Sequence, residues 1–355
     1  MRYPLRIALL AAVVAALGAT VALANPGHGH GGHPGGPPAQ SRAPFSVALF
    51  GDMPYGADGK EEYPRLIQNV NESSVSFSVF DGDLKAGGDG PCNDQLYTQS
   101  KEWFDSFSRP VVVTPGDNDW TDCWGRYGPG TGGYDPEERL EFERQMFFSS
   151  DQSLGQQTMT LERESSEPAY SAYSENARWT AGPVMFITLN VQGSNDNLPH
   201  AGVDGESRDE AELARQAAEH EAREEANVHW LQESYALAAK RGIKGVMVVW
   251  QADPNFNNEY KLEPAQYDGF AKIVPALQEA VIAFPGESVL VHGDSHYFKL
   301  DMPMHYDDGQ TVTKFTRAET FGDANTHWVE ATIDPRATPM FQFTPRIVAA
   351  NVDDR

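Results

Sequence analysis

The chain is poor in cysteine, in positive charge and in long apolar runs. Its 355 residues include two cysteines, and 27 lysines and arginines face 51 aspartates and glutamates, for a formal net charge of −24. Two cysteines exclude a disulfide-rich scaffold and a four-thiolate zinc knot. So acidic a balance excludes a broad basic face for bare DNA or RNA. It still admits a small phosphorylated substrate, because metal ions neutralise phosphate locally. One long apolar run, IALLAAVVAALGATVALA, occupies residues 7–24, and nothing later repeats it.

What remains is enough for a folded enzyme-sized body. At 40% hydrophobic residues, the composition lies outside that of wholly disordered chains. Arg2 and Arg6 precede the apolar run, which closes on Ala22-Leu23-Ala24. That pattern predicts a signal peptide over residues 1–24 and an exported product, periplasmic or extracellular, with no membrane span after cleavage. An uncleaved anchor is the alternative. Cleavage leaves 25 basic and 51 acidic residues. Residues 25–44, NPGHGHGGHPGGPPAQSRAP, hold too much glycine and proline to pack and read as a disordered tether. His28, His30 and His33 either bind a transition metal loosely or are incidental to the linker. A single domain is expected over residues 45–355.

Along that domain, short β-branched or aromatic runs are each followed at once by polar residues. FSVALF (45–50) leads to Gly51-Asp52, SFSVF (76–80) to Asp81-Gly82-Asp83, and VVVT (111–114) to PGDND. GVMVVW (245–250) leads to QADPN, and SVLV (288–291) to HGDSH. Such runs predict strands. Helices are expected over residues 61–72, from the Asp135-Pro136-x-Glu138 start, over 206–240 as a charged outer layer or lid, and over 265–283. WVEATIDP and MFQFTPRIV near the end predict a second, partly antiparallel sheet or a sheet edge. Alternating strands and helices make the chain α/β. In open α/β sheets, ligands bind beyond the carboxyl ends of the strands, where Asp52, Asp83, Asp117, Asn118, Asp119, Gln251, Asp253, Asp294 and His296 all fall. One Gly-Asp after a strand is an ordinary turn; five such strand ends point to a metal site.

The stretches GDMP, DGDLK, PGDNDW, WQADP and HGDSHYF resemble, in order and strand context, the motifs of the calcineurin-like metallophosphoesterase superfamily. They are most similar to a bacterial subgroup with GDxPY, GDxK, PGDNxWTDC, QADP and HGDSHYF. The resemblance covers residues 45 to about 300. It implies a four-layered α/β/β/α sandwich of two mixed β-sheets with outer helices. It also implies one or two divalent metal ions and hydrolysis of a phosphate mono- or diester by metal-activated water. By position, Asp52, Asp83 and His296 would hold one ion, and Asp83, Asn118, Gln251 and Asp294 the other. Several identities depart from the superfamily pattern: Pro54, Asp119, Gln251 and Asp294 stand where histidines would be. The oxygen-rich second set suits Mn, Mg or Ca, while the first could hold Fe or Zn. His292, two residues before Asp294, would replace the missing ligand or only buttress the acids. Asn118 would face the phosphate. Asp119 would move a proton, orient a water or simply bond to backbone. Lys85 is a phosphate contact or an exposed turn lysine, and Arg178 and Arg126 are weaker candidates for the same duty. In an exported chain Cys92 and Cys123 are expected to pair, the alternative being two buried thiols. A metal- or ligand-binding protein without turnover, and a hydrolase of non-phosphate esters, remain as alternative functions. The sequence leaves the oligomeric state open.

Overall fold

The computed structural model describes residues 43–128, 130–199, 208–263 and 267–352. The expected signal peptide, and all of the expected tether except residues 43 and 44, lie outside these residues. In chain order the strands are β1 (Phe45–Phe50), β2 (Ser78–Phe80), β3 (Val111–Val113), β4 (Glu162–Arg163), β5 (Ala177–Ala181) and β6 (Val184–Thr188). They continue with β7 (Gly245–Val249), β8 (Glu287–His292), β9 (Lys299–Asp301), β10 (Phe315–Glu319), β11 (Trp328–Ile333) and β12 (Phe341–Arg346). The first sheet has the order β12-β11-β1-β2-β3 and the second β4-β5-β6-β7-β8-β10-β9. β1, β2 and β3 run parallel, as do β6, β7, β8 and β10, and the flanking strands are antiparallel.

The two-residue period of each strand builds the layers. On β1, Val47 and Leu49 face an inter-sheet core, where Phe186, Met247, Val249, Val289 and Val291 of the second sheet meet them. Ala48 and Phe50 point the other way, against Tyr63, Leu66 and Ile67 of helix α1 (Gly56–Glu72) and Phe104 of α2 (Asp94–Asp105). Phe147 of α3 (Pro136–Phe147) joins that outer cluster. The second sheet repeats the scheme. Past the short α4 (Gly193–Asp196), Met185, Ile187, Val246 and Val248 pack under α5 (Glu210–Lys240) and α6 (Ile273–Ala283), while their neighbours in sequence face inward. Two mixed sheets with helices on their outer faces are the α/β/β/α sandwich expected from the sequence.

Three details refine the sequence reading. The two C-terminal strands extend the first sheet beside β1 rather than forming a second one. The charged helix α5 is an outer layer, but its face is not all solvated. Gln216, His220, Arg223, Glu224 and Asn227 are buried along with Trp230, Leu231 and Tyr235. Cys92 and Cys123 are joined in a disulfide, their Cα atoms 5.7 Å apart. Among the described residues, no helix is long and apolar enough to cross a membrane.

Candidate metal centre

Parallel strands of both sheets end at one edge of the sandwich, and their first loop residues converge there. β1 delivers Asp52, β2 delivers Asp83, and β3 leads into a 3-10 turn of Asp117, Asn118 and Asp119. β7 leads to Gln251, and β8 to Asp294 and His296. Asp52, Asp83, Asp294 and His296 have φ of 49°, 67°, 76° and 69°. Left-handed backbone at a non-glycine residue costs of order 1 kcal/mol each and persists where the surroundings enforce it. Two glycines let the carboxylates lie against bare backbone. A Cβ on Gly116 would stand 2.1 Å from Asp83 Oδ1, and one on Gly293 would stand 2.0 Å from Asp52 Oδ2.

Hydrogen bonds knit these groups together. The Tyr55 hydroxyl lies 2.9 Å from Asp83 Oδ2 and 3.3 Å from Asp52 Oδ1, donating toward both. Asn118 donates its side-chain amide to Asp83 Oδ2 at 2.7 Å and its backbone N–H to Oδ1 at 3.1 Å. Its own Oδ1 is buried with no partner. Gln251 Nε2 donates to Asp83 Oδ2 and Asp117 Oδ1, both at 3.3 Å, while its Oε1 accepts from Gly193 N at 2.5 Å. To serve as an oxygen ligand, that amide would have to turn over. The Asp294 N–H donates to Asp52 Oδ2 at 2.9 Å. His296 Nε2 stands 3.7 Å from Asp52 Oδ1, with its ring edge-on to Tyr55.

The electrostatics are one-sided. Burial, then repulsion from Asp81 and Asp294, pushes the Asp52 carboxyl well above the usual aspartate range. Burial with Asp117 and Asp52 does the same to Asp83, and burial with Asp117 to Asp294. Asp81, the first residue after β2, is pushed up to about 8 by burial. Burial holds His296 below its ordinary value. Among the described residues, no lysine or arginine is ion-paired with Asp52, Asp83, Asp117 or Asp294. Buried carboxylates without a counter-charge destabilise a fold unless protons or cations balance them. With the orphaned Asn118 oxygen, this donor set fits divalent cations held through oxygen.

Other expected residues sit differently. Asp119 turns away from the acids. Its carboxylate accepts the backbone N–H groups of Asp83 at 3.1 Å, Leu84 at 2.6 Å and Gly116 at 2.8 Å. Burial pushes this carboxyl up to about 7. His292 does not join Asp294, because β8 ends at His292 and the left-handed Asp294 breaks the strand alternation. It lies instead with Asp253 and Glu319, and one donor atom from each of the three falls within 4.8 Å of the others. Lys85 is buried rather than exposed. Its ammonium donates to the carbonyls of Ala86 and Gly87 at 3.2 and 3.5 Å, and burial lowers its pKa against the pull of Asp119 and Asp83. Arg178 lies away from the centre: from β5 it is ion-paired with Glu162 of β4 and Glu233 of α5 and stacks 4.0 Å over Trp230, on the outer face of the second sheet. Arg126 instead lines a cleft of about 370 Å³ with Ser194, Asp253, Tyr260 and Asp294. Tyr55 and Ser194 join the centre beyond the residues expected from sequence, and Asp117 joins it as more than a strand-end acid. The Ser194 hydroxyl donates toward Asp117 Oδ2 at 2.7 Å and Asp122 Oδ2 at 2.8 Å. The PY after GDM and the GSND of 193–196 were the available signals. Of the aromatic loop after β3, Trp120 is core, donating to Gln192 Oε1 at 3.2 Å, whereas Tyr127 is exposed.

No family model and no curated protein matches the chain. Its fold is similar to that of solved structures at low identity. GAP50, the anchor in the inner membrane complex of Plasmodium, is 10% identical over 88% of this chain and 87% of that one, with a TM-score of 0.44. Phosphopantetheinyl hydrolase (PptH) from Mycobacterium tuberculosis is 14% identical over 79% and 91%, with a TM-score of 0.36. The 5'-nucleotidase from Candida albicans SC5314 is 10% identical over 86% of this chain, with a TM-score of 0.44, and the match spans 52% of that protein's length.

Proposed function

We propose that the chain is a metal-dependent hydrolase of a small phosphate ester, working at the strand-end aspartate centre. The observation that carries this reading is the set of mutually repelling carboxylates of Asp52, Asp83, Asp117 and Asp294, the first three buried and Asp294 half-buried, with Asp52, Asp83 and Asp294 on left-handed backbone and no lysine or arginine paired with any of the four among the described residues. Asp52, Asp83 and His296 would hold one divalent ion, and Asp83, Asp117, Asn118, Gln251 and Asp294 a second. Mn, Mg or Ca suits the oxygen-rich set, and Fe or Zn the set with His296. At such a centre divalent ions supply charge neutralisation of the phosphoryl group and a water of lowered pKa.

The protein's own groups do the rest. The Asn118 amide orients Asp83 and offers Oδ1 to the centre. The Tyr55 hydroxyl, bonded to Asp83 and Asp52, orients those two carboxylates, and burial with the adjoining acids pushes its phenol above the usual range. Among the described residues, Arg126, which lines the cleft beside Asp122, and Lys85 behind the acids would oppose an anionic substrate's repulsion. The cleft beside Asp294 lies within the size range of small-molecule sites. The disulfide supports an exported protein whose signal peptide and tether precede the domain.

Asp119's bonds to backbone favour a second reading, a metal- or ligand-binding protein without turnover, since they remove the acid that stands in the histidine position. A panel of phosphomonoesters, phosphodiesters, nucleotides and carboxylic esters, assayed with Mn, Mg, Ca, Zn and Fe, separates the readings. Turnover on a phosphate ester that Asp83→Asn abolishes supports hydrolysis. Metal binding without turnover anywhere in the panel favours the second reading.

A further inference from the structure

We propose that Asp253, His292 and Glu319 form a separate binding site for one cation of the zinc, manganese or iron class. The three side chains are buried and come from three segments, the loop after β7 and the last residues of β8 and β10. His292 and Glu319 are direct partners across the parallel β8–β10 pair, so the pleat places both on one face. One donor atom of each lies within 4.8 Å of the others. Metal bonds of about 2.0–2.2 Å to nitrogen and carboxylate oxygen bring donors within about 4.4 Å of each other, so loading needs only sub-ångström side-chain movement.

The second observation is the imidazole itself. His292 is fully buried, and its Nδ1 lies 2.9 Å from the Gly293 carbonyl, which can only accept. The proton therefore sits on Nδ1, and Nε2 is left as a buried lone pair with no hydrogen-bond partner. A histidine whose other nitrogen donates to a backbone carbonyl is the arrangement that fixes a ring for metal ligation. The carboxylates are held from outside in the same way. The Tyr260 hydroxyl donates to Asp253 Oδ2 at 2.7 Å, and Ser295 Oγ donates to Glu319 Oε1. Arg317 approaches Asp253 Oδ1 only to 3.7 Å, and its shorter contacts go to Asp301 and Glu259. A divalent cation would neutralise the two acids and satisfy Nε2 at once.

No residue is common to this triad and the aspartate centre, but the two adjoin: the Asp253 N–H donates to Asp294 Oδ2 at 3.0 Å. An ion here would pin together the loops that carry Gln251, Asp294 and His296. The inference does not depend on the phosphoesterase reading. Crystals of the mature protein equilibrated with micromolar zinc are expected to show anomalous density between Asp253, His292 and Glu319. In solution, elemental analysis after dialysis against zinc should find one equivalent fewer in His292→Gln and Glu319→Gln than in the wild type. Asp83→Asn should retain that equivalent. Anomalous density confined to the aspartate centre, filling only at millimolar zinc, or unchanged stoichiometry in both triad variants overturns the proposal. The crystal arm uses unaltered protein, so a variant that fails to fold does not blunt it.

Discussion

Two buried groups of acids in this molecule make a direct contrast. Under helix α5, Asp196 is paired with Arg223 at 2.6 Å, and Glu175 with Arg144 at 2.6 Å. At the strand ends, Asp52 and Asp83 are just as buried and Asp294 half-buried, yet they meet mainly one another. Burial alone would push Glu175 up, but the Arg144 guanidinium brings it below the usual carboxylate range. Burial and like charge push the strand-end acids the other way. Burial is common to both groups; among the described residues it is the lack of a lysine or arginine counter-charge that sets the strand-end acids apart, and perturbed acids of this kind cluster at functional sites.

The contrast can be broken most sharply by removing one acid from each side. Asp83→Asn should lower metal-dependent turnover by about 10³-fold, equivalent to several kcal/mol of transition-state stabilisation, in steady-state assays that saturate the metal. Arg223→Ala should instead leave Asp196 buried and unpaired. It is expected to cost about 3–5 kcal/mol of stability in denaturant titrations, with kcat per folded molecule little changed. Equal losses of activity in both variants would erase the distinction. Cys92→Ser with Cys123→Ser opens a closure of sequence separation 31 and should cost about 3–4 kcal/mol of stability by loop entropy.

Smaller effects test the sign of the electrostatics. Without metal, Asp52→Asn or Asp294→Asn should raise stability by about 1 kcal/mol by relieving repulsion, whereas Asp196→Asn should lower it. The metal-free protein should also lose stability as pH rises from about 4 toward 8. Asp81 is raised to about 8, and Asp119 and Glu319 to about 7, so the folded state binds more protons than the unfolded state in that window. The slope of stability with pH is then negative. Added Mn should flatten it, and its effect on Tm should be larger at pH 8 than at pH 5, because the ligands must deprotonate to bind. Thermal melts across that range, with and without Mn, measure both.

Much of the fold was legible because its signals are local. β1, β7 and β8 fall where β-branched and apolar runs end in Gly or polar residues, and Asp135 caps α3 as its Pro136 and Glu138 suggest, accepting from the Glu137 and Glu138 N–H groups. The strand-end acids were legible because topology sends parallel strand ends to one edge. Helix α2 was passed over, although Asn93 caps it and Tyr97, Ser100 and Phe104 make its buried stripe. Polar residues between these positions dilute its apolar period. Side-chain direction was harder to read. Asp119 and Asp117 are two residues apart in one 3-10 turn, and only the folded turn decides which faces the centre. His292 and Asp294 are two residues apart, and the left-handed Asp294 breaks the alternation that would put them on one face. The charge of Arg178 is visible in sequence, but Glu162, Glu233 and Trp230 come together around it only in the fold.

Strand β1, which carries Asp52, lies between β2 and β11, with Phe45 opposite Ile333. The strand that leads to Asp52 is thus completed by a partner from the far end of the described chain. Pairing across so long a stretch of sequence is slow. The edge of the sandwich that gathers these carboxylates is therefore among the late-forming parts of the fold, and its acids come together only after the local elements around them are in place.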